Sequence, residues 1–215
     1  MGGEPAGRRR LAADETKALA VLAARVRELT EATVLSGVDP AEVAAVADEV
    51  AVLTERLAAV RRHAPPLDLS DALDLGGFVA NPVAGPLNPI APPVDIEVTP
   101  EGVARAVFTL GPVYEGPPAH VHGGISAMVL DQVLGMAAAA VGTPGMTATL
   151  DLRYRRPTPL GVPLSVEAKA TRAEGRRVYA DGSITGPEGR VTVEASAMFV
   201  VPKQVLLDRW MNAVG

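Results

Sequence analysis

The chain has 215 residues, 48% of them hydrophobic and only 3% aromatic, with no cysteine and a formal net charge of -5. That length holds one domain of ordinary size plus an appendage, because domains usually run on the order of 100–150 residues. The acidic balance offers no field for phosphate backbones, so nucleic acid is not an expected partner. Without cysteine there are no disulfides, thiolate nucleophiles or thiolate-bound zinc; this suits a reducing compartment and leaves catalysis to oxygen and nitrogen groups.

At the start, Asp14, Glu15 and Lys17 interrupt the apolar stretch an export signal needs. The longest apolar run, around Gly135 to Gly145, falls short of the roughly 20 residues of a membrane span. A cytoplasmic location and no membrane span are therefore expected. Residues 11–63 carry apolar side chains at helical spacing in two stretches, Leu19, Leu22, Val26, Leu29 and then Val46, Val50, Leu53, Leu57, Val60. Ser36-Gly37 stops the first stretch, and Asp39-Pro40 with Glu42 starts the second as N-cap, first-turn proline and capping-box acid. The prediction is an N-terminal helical hairpin over residues 1–63 with a disordered start. Its Ala-rich stripe argues against a long independent coiled coil; capping a pocket, extending a dimer interface and docking a partner all stay open.

Residues 64–93 hold seven prolines and three glycines, which excludes persistent helix or central strand. Their Leu, Val, Phe and Ile content predicts a linker that wraps partly against the next domain and helps line a pocket. From 94 to 201 the pattern changes to strands around one helix. Val94–Thr99 and Val103–Leu110 flank a turn at Pro100-Glu101-Gly102, and a nearly all-apolar helix follows at about 125–141. Extended segments come at about 146–156, 162–173, 176–185 and 189–201, and are expected to form an antiparallel meander. In the last, Val191, Val193, Ala195, Ala197 and Phe199 alternate onto one face. One apolar helix among about six strands implies an α+β domain whose sheet curls around the helix. Residues 202–215 read as a tail with a possible short helix.

Two features of the helix bear on chemistry. Asp131 interrupts its apolar run, and an ionised carboxylate buried without partners costs several kcal/mol. Either a hydrogen-bond partner or a locally exposed strip satisfies it, or it works. Nine residues earlier, His122-Gly123-Gly124 stands at the helix start, where glycines either turn the chain or let free N–H groups and the positive helix end meet a carbonyl and its oxyanion.

The run GPPAHVHGGISAMVLDQVLG, followed by GTPGMTATLDLRYRRPTPLG, resembles the PaaI-like and THEM-type branch of the hotdog-fold acyl-CoA thioesterases. The shared marks are HGG, an acid nine positions after the histidine, a PG turn with a hydroxyl residue just after it, and a basic-Pro-x-Pro-Leu-Gly run. The resemblance covers roughly residues 80–201 and leaves the helical hairpin outside. It implies a hotdog fold and thioester hydrolysis, with Gly123 and Gly124 at the carbonyl, His122 orienting or polarising the thioester and Asp131 acting as base or nucleophile. It also implies that Thr147 positions a water. Thr149, two residues on along the strand, is a substitute for it on the expectation that both project from one face.

Gly124 and Asp131 lie seven residues apart, roughly 10 Å along a helix. One carbonyl cannot reach both, so a homodimer or dimer of dimers with composite sites is expected, as the resemblance also implies. The chain departs from some family members in having Gly116 where they carry an Asn that assists the carbonyl. Tyr114, Glu115 and His120 are nearby substitutes that spacing does not separate.

Arg153, Arg155 and Arg156 form a basic strand end; Arg155 and Arg156 are candidate contacts for CoA phosphates. His120 and His122 form an H-x-H pair, but only His63 could add a third imidazole, so neither a metal nor another cofactor is expected. Gly124-Ile-Ser-Ala127 is not a nucleophile elbow. Two rivals stand beside the thioesterase: a hotdog dehydratase or hydratase, disfavoured because the histidine precedes the glycines, and a non-catalytic acyl-CoA-binding or partner-docking protein, disfavoured by the presence of Asp131 and Thr147.

Overall fold

A computed structural model of the chain describes residues 11–66, 78–142 and 144–203. The readings made above for residues 1–10, 67–77 and 204–215 fall outside these. Helix α1 spans Ala13–Leu35 and α2 spans Pro40–Ala58. The Asp39 side chain caps α2 by accepting from the N–H groups of Ala41 and Glu42, and Pro40 opens it. Arg62, just past α2, reaches Glu15 at the start of α1 at 3.8 Å, so α2 runs back alongside α1 as a hairpin.

Six strands form one antiparallel sheet: β1 Glu97–Val98, β2 Val103–Thr109, β3 Met146–Tyr154, β4 Pro163–Glu174, β5 Arg177–Thr185 and β6 Val191–Val200, in the order β1-β2-β4-β5-β6-β3. Two details differ from the sequence reading. The first strand is only two residues long, because the chain leaves Pro92-Pro93 in a turn, with Val94 N–H donating to Pro92 O, before it can pair. The four later segments are not one meander: β4, β5 and β6 are, but β3 hydrogen-bonds to β6 at the far edge. Helix α3, Gly123–Ala139, carries the chain there across the sheet. Its 17 residues run roughly 25 Å, and the four strand spacings between β2 and β3 need about 19 Å.

The core lies between α3 and the sheet. Val129, Leu130, Val133, Leu134 and Ala137 are fully buried, and each of the larger four contributes roughly 1.5–3 kcal/mol by leaving water. Against them lie Ala104, Ala106 and Phe108 of β2, Leu164 and Val166 of β4, Ala180 and Ile184 of β5, and Val193, Ala195, Ala197 and Phe199 of β6. The Pro/Gly-rich segment packs onto this unit where it is described. Val79, Val83 and Ala91 are buried. Its turn is held by Asn81, whose Oδ1 accepts from the N–H groups of Val83 and Ala84. Helix α1 docks through buried Ala23 and through Arg27, whose Nη1 donates to Asn88 O at 3.0 Å, and lies against a 3-10 turn at Pro112–Tyr114. Among the described residues no helix is long and apolar enough to cross a membrane.

Candidate active site

The loop into α3 is built by backbone pairing. His122 N–H donates to Tyr114 O, Val121 N–H to Thr158 O and Gly116 N–H to His120 O. Gly116 lies so close under His122 that a Cβ there would stand 2.7 Å from the His122 Cα. Gly116 thus serves as a packing point without a side chain, and the carbonyl-assisting Asn that the resemblance sets at this position has no counterpart here. The three candidate substitutes are engaged in the loop or stand beside it. Glu115 accepts from Ala119 N–H at 2.6 Å, where Ala119 takes a left-handed φ of 62°, and His120 Nδ1 lies 2.8 Å from Pro118 O. Tyr114 lends its carbonyl to His122, and burial pushes its phenol above the usual tyrosine range.

His122 is the N-cap of α3, and its Nδ1 accepts from Gly124 N–H at 3.0 Å. That bond separates the two glycines. The Gly124 N–H is consumed by the cap, whereas the Gly123 N–H donates to no described group and is the open donor at the positive end of the helix. The same bond requires a lone pair on Nδ1, which leaves Nε2 as the ring nitrogen that can carry a proton. Sequence reasoning missed a further participant. Tyr154, on the helix-facing side of β3, donates its hydroxyl to Gly123 O at 3.0 Å, and its ring lies 3.3 Å from where a Gly123 Cβ would stand. Its place two residues after Leu152 on the same strand face is the signal that could have found it.

Asp131 lies two turns further along α3, partly exposed, while its neighbours Val129, Leu130 and Val133 turn into the core. Thr147 Oγ1 donates to its Oδ1 at 2.9 Å, which leaves Oδ2 as the open acceptor. Both border a cavity of about 270 Å³, otherwise lined largely by Phe78, Gln132, Gly135 and Phe199. Asn81 Nδ2 donates to Gln132 Oε1 at 3.1 Å, so the Pro/Gly-rich segment forms part of this wall.

Thr149 does not share the Thr147 face. A bulge between them leaves Thr147 opposite Phe199 and Thr149 opposite Met198, adjacent residues of β6 that face opposite sides of the sheet. The extra residue turns Thr149 outward, and it is a correction to the strict alternation assumed above. Arg155 gives Nε and Nη2 to Glu194 Oε2 at 2.9 and 2.7 Å, and Arg156 gives Nη1 to Val191 O. Both arginines are tied to β6.

The sequence pattern of the thioesterase superfamily matches residues 119–193, from the approach to His122 through most of β6. The crystal structure of protein RHA08564, a thioesterase superfamily protein, is 36% identical, with a TM-score of 0.77 over 85% of this chain and 90% of that one. The chain belongs to the thioesterase superfamily. Its hotdog sheet and α3 are that superfamily's architecture, and the two N-terminal helices add to it. Among curated thioesterases, the acyl-coenzyme A thioesterase THEM4 of Xenopus laevis is 35% identical over 95 residues, 44% of this chain and 43% of that protein. The protein of the same name from Mus musculus is 32% identical over 96 residues, 44% of this chain and 41% of that one. The chain thus aligns with less than half the length of these two relatives.

Proposed function

We propose that this thioesterase-superfamily chain hydrolyses an acyl-CoA thioester to free acid and CoA. The observation that carries the reading is the Asp131–Thr147 pair at the wall of an apolar cavity, on the helix whose N-terminus leaves the Gly123 N–H unpartnered. Asp131 Oδ2 takes a proton from water as the water oxygen bonds to the carbonyl carbon. The Gly123 N–H and the Nε2–H of His122 hold the oxyanion. The C–S bond then breaks, and Asp131 returns the proton to the departing sulfur. Water is the nucleophile preferred here over Asp131 itself, because Thr147 orients the carboxylate and leaves one oxygen open for it. Arg155 and Arg156 stand as candidate contacts for the CoA phosphates, at the end of β3.

The reading includes a homodimer, or a dimer of dimers, with composite sites. Gly123 and Asp131 are roughly 12 Å apart along one helix, and both must come within about 3 Å of the reacting atoms or one water away. A second copy supplies the missing half. In support, β3 is a nine-residue edge strand with Met146 and Tyr154 exposed, the kind of edge that calls for a cover. The reading places the chain in the reducing cytoplasm, with which the lack of cysteine is consistent.

Thiol release from a panel of acyl-CoA substrates tests the reading, with Asp131→Asn beside the wild type. Loss of a positioned general base costs roughly a hundredfold or more. A wild type that binds acyl-CoA and releases no thiol would make the chain a binding protein, and a fully active Asp131→Asn would remove the mechanism.

A further inference from the structure

Helix α2 has no buried residue. Val43, Val46, Val50, Leu53 and Leu57 recur at alternating spacings of three and four, the a and d positions of a heptad. Val43, Val46, Leu53 and Leu57 keep 49%, 39%, 50% and 59% of their surface exposed, and only Val50 among the five is partly covered. Helix α1 therefore does not fill this seam. One flank of it is small, Ala47 and Thr54, which lets another backbone approach closely. The other flank is charged, Glu42, Glu49 and Arg56, and neither Glu49 nor Arg56 makes an ion pair among the described residues.

We propose that the occupant of this seam is α2 of a second copy of the chain, packed antiparallel about a two-fold axis near residues 51 and 52. Two independent features select the same register. Placing Val50 against the partner's Leu53 sets Val46 against the partner's Leu57, so that four layers each match one Val with one Leu. In that register the charged flanks meet, and Glu49 lies beside the partner's Arg56. A parallel pair would bring Glu49 against Thr54 and form no such ion pair. The helix dipoles of an antiparallel pair also set opposite ends together. The isologous pairing closes after two copies. It is separate from the pairing that completes the active site, and with it would make a dimer of dimers.

Charge reversal and cross-linking in the full chain test this. Sedimentation of Arg56→Glu should show an assembly of half the wild-type mass, and Glu49→Arg with Arg56→Glu should restore it, with thiol release per chain retained throughout. The chain lacks cysteine, so Val46→Cys and Leu57→Cys each introduce a single thiol. In the antiparallel register neither variant links to itself on oxidation, while an equilibrated mixture of the two does. An unchanged mass for Arg56→Glu, self-linking of either single variant, or no linking in the mixture would overturn the proposal. None of these outcomes depends on whether the catalytic sites are composite, which activity measurements decide separately.

Discussion

Among the described residues Asp131 is held by one hydrogen bond, and Thr147 provides it from a different element of the fold. The hydroxyl donates to a carboxylate, and a hydrogen bond to a charged group is worth about 1.5–3 kcal/mol. Thr147→Ala should accordingly lower kcat by about 10- to 100-fold with little change in KM, as steady-state kinetics would register; an unchanged kcat would remove Thr147 from the site. Tyr154 acts at the other end of α3 and without touching substrate. Its hydroxyl fixes the Gly123 carbonyl, and so the direction of the helix's first peptide. One neutral hydrogen bond contributes about 0.5–1.5 kcal/mol, so Tyr154→Phe should cost at most about two- to tenfold in kcat and lower the melting temperature by no more than a few degrees. A loss of folded protein in place of that kinetic loss would assign Tyr154 a purely structural role. Asp131 could be picked out from sequence because a charge breaks an apolar run. For Tyr154 the strand alternation marks the face but not the partner, which is a backbone carbonyl 31 residues away.

The elements themselves were legible to differing degrees. Helix α3 was the most readable, since a long apolar run between glycine breaks has few other outcomes, and β6 was readable by its alternation. Two features escaped. The single extra residue shifts the alternation of β3 by one, so that Thr147 shares the helix-facing side with Leu150 and Leu152 while Thr149 faces away, and the Thr-x-Thr spacing alone does not mark it. The far-edge position of β3 follows from the length of the crossover helix, which periodicity does not encode. The loop before α3 carries its own prediction. Gly116 has no room for a side chain against the His122 backbone, so Gly116→Asn should not recruit a new carbonyl donor. It should displace His122, lowering both the melting temperature and kcat/KM, as calorimetry and thiol-release assays would record. A gain in activity would mean that the loop accommodates the amide.

At the scale of the molecule, whether one chain or two build each site can be decided by complementation. Gly123 is the first residue of α3, where proline is tolerated, and His122 has ψ of 132°, a conformation that precedes proline readily. Gly123→Pro therefore deletes the proposed oxyanion donor and keeps the helix. The added ring meets Tyr154 at about 3.3 Å, and that side chain is 56% exposed and can shift at the cost of its hydrogen bond to Gly123 O. Gly123→Pro and Asp131→Asn should each be nearly inactive alone. If a site takes Gly123 from one chain and Asp131 from the other, a mixed dimer concentrates both defects in one site and leaves the second intact. Random exchange makes about half the dimers mixed, so an equal mixture should recover about a quarter of wild-type thiol release. If each chain holds its own complete site, every site in the mixture carries one defect and the recovery is nil. The measurement thus separates the two arrangements without assuming which sheet edge or helix joins the copies.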